Sequence, residues 1–258
     1  MTSVSSTESV LIDQSGGVLT LTLNRPEKIN ALTQEMYLSL CAGLDQASES
    51  DDIAAVLIAA NGDNFSAGND VKDFVTVASA AGPVNPDDIP AVAFIYRLVN
   101  FEKPLFVAVQ GQAVGIGLTL MLHADFVYLA DNAILSAPFV DLGLVPEAGS
   151  SLILPQRIGT ARASAVLLAG KPVDAATALD WGLANHVVAS NALRETAMKM
   201  AHGLAAKPKE AVRLSKQLMS SDRAALNAHI DTEFALFFER LRSDEAKAAF
   251  AAFLAKSS

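Results

Sequence analysis

Residues 18–23, VLTLTL, alternate apolar and polar positions as a half-buried strand does. Thr33 precedes QEMYLSLCAGLDQA, in which Met36, Leu40 and Leu44 recur at helical spacing, so Thr33 is predicted to cap a helix. The run AAVLIAA at 54–60, bounded by Asp52 and Asn61-Gly62, has no polar face and suits a strand buried on both sides. LFVAVQG at 105–111, preceded by Lys103-Pro104, and FVYLA at 126–130 read the same way, with a weaker run, ANHVVA, from residue 184.

From about residue 149 the apolar spacing turns helical almost throughout. Helices are predicted over 149–156, 160–169, 174–181, 190–205, 207–220 and 223–255, the last broken at Ser243-Asp244. Ser243 can cap DEAKAAFAAFLAK, whose early acids and late lysine suit the helix dipole. The layout is an α/β body followed by a helical tail. A Gly-, Pro- and Asp-rich stretch at 78–90, ASAAGPVNPDDIP, reads as a surface loop, with a lid role kept open because residues 65–70 lie close by in sequence. Phe234, Phe237, Phe238, Phe250 and Phe253 on the last helices fit two readings, packing on their own subunit or contact with another.

Composition narrows the function classes. The 258 residues are 51% hydrophobic and 18% charged, which excludes global disorder. The formal charge is −9 and no Lys/Arg stretch tracks phosphates, so no nucleic-acid partner is expected. No window carries the roughly 18 uninterrupted apolar residues of a membrane span, so no membrane partner is expected either. A lone cysteine, Cys41, excludes a disulfide scaffold and a Cys-based zinc site, and the four histidines lack HExxH spacing, so no metal is implied. The opening MTSVSSTES reads as a flexible tail without targeting features, and the closing AKSS is not a peroxisomal signal; a cytoplasmic protein is the expectation.

Two glycine turns follow predicted strands: Phe65-Ser66-Ala67-Gly68-Asn69-Asp70, and Gly111 to Gly117 before a helix through Leu122. Such junctions leave backbone N–H groups unpaired and let a ligand approach closely. Two N–H groups from separate turns can converge on one oxygen and stabilise charge developing on a carbonyl. The spacing GxxxGxG is neither the dinucleotide fingerprint nor a phosphate loop, and no GxSxG elbow is present.

A third segment, Ala137 to Ser151, carries Glu147 between Pro146 and small residues, after apolar Leu144 and Val145. One reading places Glu147 in the first turn of the following helix, where a carboxylate stabilises the dipole by about 0.3–1 kcal/mol. The other takes the apolar surroundings as a means of raising its pKa toward neutrality, so that it serves as a base.

These three segments in this order resemble the enoyl-CoA hydratase/isomerase (crotonase) superfamily over roughly residues 10–240. FSAGND at 65–70 is similar to the family's FxAGxD signature, Val107–Asp125 to its glycine turn and helix, and Asn24-Arg25-Pro26-Glu27-Lys28-Ile29-Asn30-Ala31 to its first CoA-contacting loop. The resemblance implies an α/β fold with a ββα spiral core over 10–200 and a C-terminal helical trimerisation region over 201–258, after the tail 1–9. It implies oxyanion donors at the Asn69 and Ile116 N–H, and CoA contacts at Lys28, Ile29, Ala31, Ala67, Gly68 and Asp70, with Lys28 or Arg25 near a phosphate. It implies an acyl-CoA substrate, coenzyme A entering only as part of that thioester with no separate cofactor, and a homotrimer or a hexamer built as a dimer of trimers.

The departures point to the reaction. The two glutamates of the family's hydratases would fall at Thr119 and Phe139, neither an acid nor a base at neutral pH. Glu147 instead lies where peroxisomal-type Δ3,Δ2-enoyl-CoA isomerases carry their single catalytic glutamate, with Phe139, Leu144 and Thr119 expected to line the pocket. The implied activity is isomerisation of 3-enoyl-CoA to 2-trans-enoyl-CoA. The alternatives are a ring-acyl-CoA isomerase or a weak hydratase on the same fold, or an acyl-CoA-binding protein without turnover. Asp125 is expected to cap or pair within the fold and Asp141 to be a second acid near the pocket. His123, Cys41, Trp181, Asn185 and His186 are expected to be structural.

Overall fold

The computed structural model describes residues 7–73, 88–219 and 222–256, without the side chains of residues 253, 254 and 256. Residues 78–87 of the proposed lid loop, the first six residues of the tail and the Phe253 side chain lie outside the described residues. A six-stranded sheet runs β1 (Val10–Ser15), β2 (Val18–Leu23), β3 (Ala55–Ala60), β4 (Leu105–Val109), β6 (Phe126–Ala130), β9 (His186–Val188). Only β1 is antiparallel to its neighbour; the other pairs are parallel. A second sheet, which the sequence pattern did not disclose, joins β5 (Gln112–Val114), β7 (Ile134–Ser136) and β8 (Val173–Asp174). This is the crotonase-like α/β architecture, with helices following the sheets at the C-terminal end.

The central runs are buried on both faces, as their composition predicted. VLTLTL departs from its half-buried prediction: every residue is buried, Thr20 and Thr22 at 2% exposure. Its leucines face the main core, while the other face is covered by the Leu193–Ala205 helix, whose Arg194 Nη2 donates to Thr22 Oγ1 at 2.8 Å. A threonine satisfied in this way is as buriable as an apolar residue. The first helix, α1 (Gln34–Glu49), is capped by Thr33, whose hydroxyl accepts the Met36 N–H at 3.3 Å. The predicted break at residue 243 separates α9 (Arg223–Leu241) from α10 (Asp244–Lys256), with Ser243 Oγ accepting the Ala246 N–H. Between α1 and α9 lie α2 (Pro90–Asn100), α3 (Ile116–Thr119), α4 (Ser150–Ile158), α5 (Thr160–Leu167), α6 (Ala175–Asp180), α7 (Leu193–Ala205) and α8 (Lys209–Met219). Phe234, Phe237 and Phe250 join the core of their own chain.

Several single residues behave structurally as expected. Asp125 accepts the Leu105 N–H at 2.8 Å and pairs with Lys216 Nζ at 2.7 Å. Asn185 Oδ1 accepts the Val127 N–H, His186 stacks on Tyr128, the Arg162 guanidinium lies over Trp181, and Cys41 is buried. Among the described residues, no helix is long and apolar enough to cross a membrane, and no group of His, Cys, Asp or Glu side chains could hold a metal ion.

Candidate active site

The 65–70 turn is tied down from below. Ser66, fully buried, donates its hydroxyl to the Asn30 carbonyl at 2.9 Å and accepts the Gly68 N–H at 3.1 Å. Gly68 has φ 93°, and a Cβ there would stand 2.9 Å from the Val114 carbonyl oxygen, so only glycine lets this turn pack against the 112–115 segment. On the other side Gly115, at φ 56° and ψ −117°, turns the chain into α3. The helix predicted through Leu122 is shorter than expected: one α turn, then a 3-10 turn over Leu120–His123. The Ile116 amide therefore has no long helix dipole behind it.

Around these turns the neighbouring amides are engaged. Gly68 N–H bonds Ser66, Asp70 N–H bonds the Leu32 carbonyl, Gly115 N–H bonds the Ser136 carbonyl, and Leu118 N–H bonds the Gly115 carbonyl. Among the described residues the Asn69 and Ile116 N–H groups donate to no protein acceptor. Both residues line one cleft of about 360 Å³, open to solvent, together with Ala67, Gly68, Phe139, Asp141, Leu144 and Phe250. Gly68→Ala is expected to displace the Asn69 amide, lowering turnover by about 10²-fold, the lower end of what loss of one oxyanion donor costs. The same strain should lower stability by about 1–3 kcal/mol. Steady-state kinetics and a denaturant midpoint read the two effects.

Asn69 also borders a second cavity, of about 50 Å³, and this one contains Glu147. Glu147 is 4% exposed, and its Oε1 accepts the Thr119 hydroxyl at 2.6 Å. Burial lifts its pKa to about 8; the Thr119 hydrogen bond opposes the rise and the charge of Glu233 adds to it. The carboxyl is not in the first turn of α4, as one sequence reading had it. Ala148 at φ 57° and Gly149 at φ 71° intervene, and the helix begins at Ser150. Glu147 thus turns inward, and its carbonyl rather than its carboxylate meets the helix N-terminus, accepting the Ser150 hydroxyl at 2.6 Å.

Of the other predicted residues, Phe139 and Leu144 line the cleft beside the amide pair, as do Ala67 and Gly68. Thr119, expected in the lining, borders neither cavity; it is fully buried behind Glu147, where its hydroxyl serves the carboxylate. Lys28, Ile29, Ala31 and Asp70 stand outside the cleft lining, linked to it through backbone bonds from Ala67 N–H to the Ile29 carbonyl and from Leu32 N–H to the Gly68 carbonyl. Arg25 is engaged by Asp70 at 2.7 Å and by the Ala31 carbonyl at 3.0 Å. Burial would raise the Asp70 pKa; that guanidinium and the Lys72 amide outweigh it and hold the carboxyl low. Asp141 is exposed and lines the amide cleft, away from Glu147.

Sequence reasoning missed the far wall of the Glu147 cavity. Tyr37, Gln34 and Asp73 supply a polar corner, and Phe234, Phe237, Phe238 and Leu241 of α9 an apolar one. Tyr37 is fully buried, and its hydroxyl donates to Asn69 Oδ1 at 2.5 Å. Burial, with the nearby Glu147, raises its pKa well above the usual value, so it stays neutral. The signal for α9 was present as its Phe spacing, but nothing local told which surface that stripe covers.

An unpaired amide pair and a buried, hydroxyl-held carboxyl, on cavities that share Asn69, are the groups needed to polarise a carbonyl and move a proton on the carbon next to it. The sequence profile of the Enoyl-CoA hydratase/isomerase family matches residues 13–258. The 1,2-epoxyphenylacetyl-CoA isomerase of Escherichia coli (strain K12) is 36% identical, over 97% of each chain. Enoyl-CoA delta isomerase 2 of Rattus norvegicus is 33% identical over 96% of this chain, which spans 64% of that protein's length. The crystal structure of an enoyl-CoA hydratase/isomerase from Pseudoalteromonas atlantica T6c superposes with a TM-score of 0.90 at 39% identity, covering 96% of this chain and 97% of that one. The chain therefore belongs to the enoyl-CoA hydratase/isomerase family of the crotonase superfamily, the family match spanning residues 13–258.

Proposed function

We propose that the protein is an acyl-CoA isomerase that converts 3-enoyl-CoA to 2-trans-enoyl-CoA with Glu147 as its only base. The observation that carries this reading is the buried Glu147 carboxyl, raised toward neutrality and bordering a cavity that shares Asn69 with the amide cleft. The thioester oxygen accepts hydrogen bonds from the Asn69 and Ile116 N–H groups. The Glu147 carboxylate takes a proton from C2, and the C–H electron pair moves through the thioester to its oxygen as a dienolate. The protonated carboxyl returns the proton at C4, the thioester carbonyl re-forms, and the double bond moves from C3–C4 to C2–C3. No water enters this balance. Coenzyme A is part of the substrate, and the chain acts as a homotrimer or a dimer of trimers.

A ring-bearing acyl group is the second reading. It is favoured by the full-length similarity to 1,2-epoxyphenylacetyl-CoA isomerase and by the aromatic wall of Phe234, Phe237 and Phe238 opposite Glu147. An acyl-CoA panel separates the readings: the linear reading expects conjugated 2-enoyl-CoA absorbance to grow from 3-enoyl-CoA. No rise at any chain length, with turnover of a ring epoxide thioester, selects the second. Hydration of 2-enoyl-CoA at the faster rate contradicts both.

A further inference from the structure

Glu233 is the buried carboxylate to which the proton shuttle gives no task. It sits on α9, 5% exposed. Its Oε2 accepts the Gly149 N–H at 2.6 Å, and its Oε1 accepts the Ser151 N–H at 3.0 Å and the Ser151 hydroxyl at 2.5 Å. His229, one turn earlier on α9, places Nε2 at 2.8 Å from Ser151 Oγ and 3.5 Å from Glu233 Oε1. A side chain from a distant helix thus caps the first turn of α4, the place the sequence offered to Glu147.

The turn held in this way is the strained one that aims Glu147. Ala148 is a non-glycine residue in the left-handed region, a conformation that persists only where its surroundings enforce it. At Gly149, a Cβ would meet Leu226 of α9 at 2.7 Å, so α9 is packed tightly against the turn as well as bonded to it. His123 Nε2 bonds the Ala148 carbonyl at 2.8 Å from the opposite side. The same α9 lends Phe234 and Phe237 to the Glu147 cavity.

We propose that Glu233 is a positioning residue for the base: its carboxylate clamps the 147–149 turn through Gly149 and Ser151 and thereby keeps the Glu147 carboxyl on the cavity beside Asn69. The inference rests on Glu147 being the base. A clamp of this kind also acts through charge. Burial raises the Glu233 pKa as well, the hydrogen bonds from Ser151 and Gly149 oppose that rise, and the negative charge of Glu233 disfavours ionisation of Glu147. The other groups facing the pair are Tyr37 of α1, neutral; Asp73, in the same cavity; the Thr119 hydroxyl of α3; His123, whose burial lowers its pKa to about 4; and His229 of α9.

The test compares Glu147→Gln, Glu233→Gln and Glu233→Asp on 3-enoyl-CoA, with pH profiles of kcat/KM and thermal midpoints. Glu233→Gln is expected to lower kcat by about 10–100-fold, as a base displaced by an ångström does, with little change in KM. Its acid limb should move to lower pH because the opposing charge is gone. Glu233→Asp keeps the charge on a shorter arm: kcat stays low and the limb returns to the wild-type position. The limb shift is also readable without turnover, as a lower pH at which stability differs between proteins with and without Glu147→Gln. Wild-type kcat and an unmoved limb in Glu233→Gln, with Glu147→Gln inactive, overturn the proposal, as does a kcat loss that only tracks thermal stability. An active Glu147→Gln overturns the base assignment instead. Should Glu233→Gln fail to fold, Ser151→Ala removes one clamp donor, and an unchanged kcat there overturns the proposal.

Discussion

Glu147→Gln is expected to bind acyl-CoA as the wild type does and to lose turnover by about 10²–10⁴-fold, the contribution of a positioned general base. The amide carbonyl of glutamine keeps the acceptor that the Thr119 hydroxyl needs at 2.6 Å, so the buried site stays satisfied and only the proton-accepting oxygen is removed. In the wild type, kcat/KM should rise with pH as the carboxyl ionises, with a midpoint near 8, because burial holds the proton on. Isothermal titration with a saturated acyl-CoA and steady-state rates on 3-enoyl-CoA separate binding from chemistry. Retained turnover reassigns the base, with Asp141 the remaining acid of the adjoining cleft.

The second large effect is on stability. The Glu147 carboxyl is raised from 4.5 to about 8 by burial, so the fold favours its protonated form. Its contribution is fully present below the unfolded value, is lost as pH rises through the folded value, and amounts to about 5 kcal/mol in all. Asp70, held low by Arg25, acts with the opposite sign and only at lower pH, as its carboxylate protonates. The clean observable is therefore the difference between wild type and Glu147→Gln. The two should be nearly equal in stability near pH 4.5, and the variant should be more stable by several kcal/mol near pH 9, measured by urea midpoints across pH. A difference that does not grow with pH would mean the carboxyl is solvated.

What could be read in advance follows from how local each signal is. Asn69 and Ile116 sit in short turns whose glycines announce their own geometry, and Gly68 and Gly115 adopt the positive φ that those turns need. Thr33 caps the helix that follows it, an interaction confined to four residues. Glu147 was legible as a residue but not as a direction: the left-handed Ala148 that swings it away from α4 has no sequence marker. VLTLTL looked half-buried because its threonines are polar, but a helix far along the chain covers that face and its Arg194 bonds Thr22. Tyr37 and Glu233 were invisible and Phe237 was visible only as part of a stripe without a known partner, since each reaches the site from a helix whose docking is set by the whole core. Lys28 and Ile29 entered by resemblance, and their side chains stand at the surface, outside the cleft lining.

In the proposed reaction one carboxyl carries one proton between two carbons of a bound thioester. The most direct measurement is the fate of deuterium placed at C2 of 3-enoyl-CoA. A shuttle on the buried Glu147 predicts that part of the label reappears at C4 of the 2-enoyl-CoA formed in ordinary water. Product whose C4 hydrogen comes wholly from solvent, with no label carried over, contradicts it.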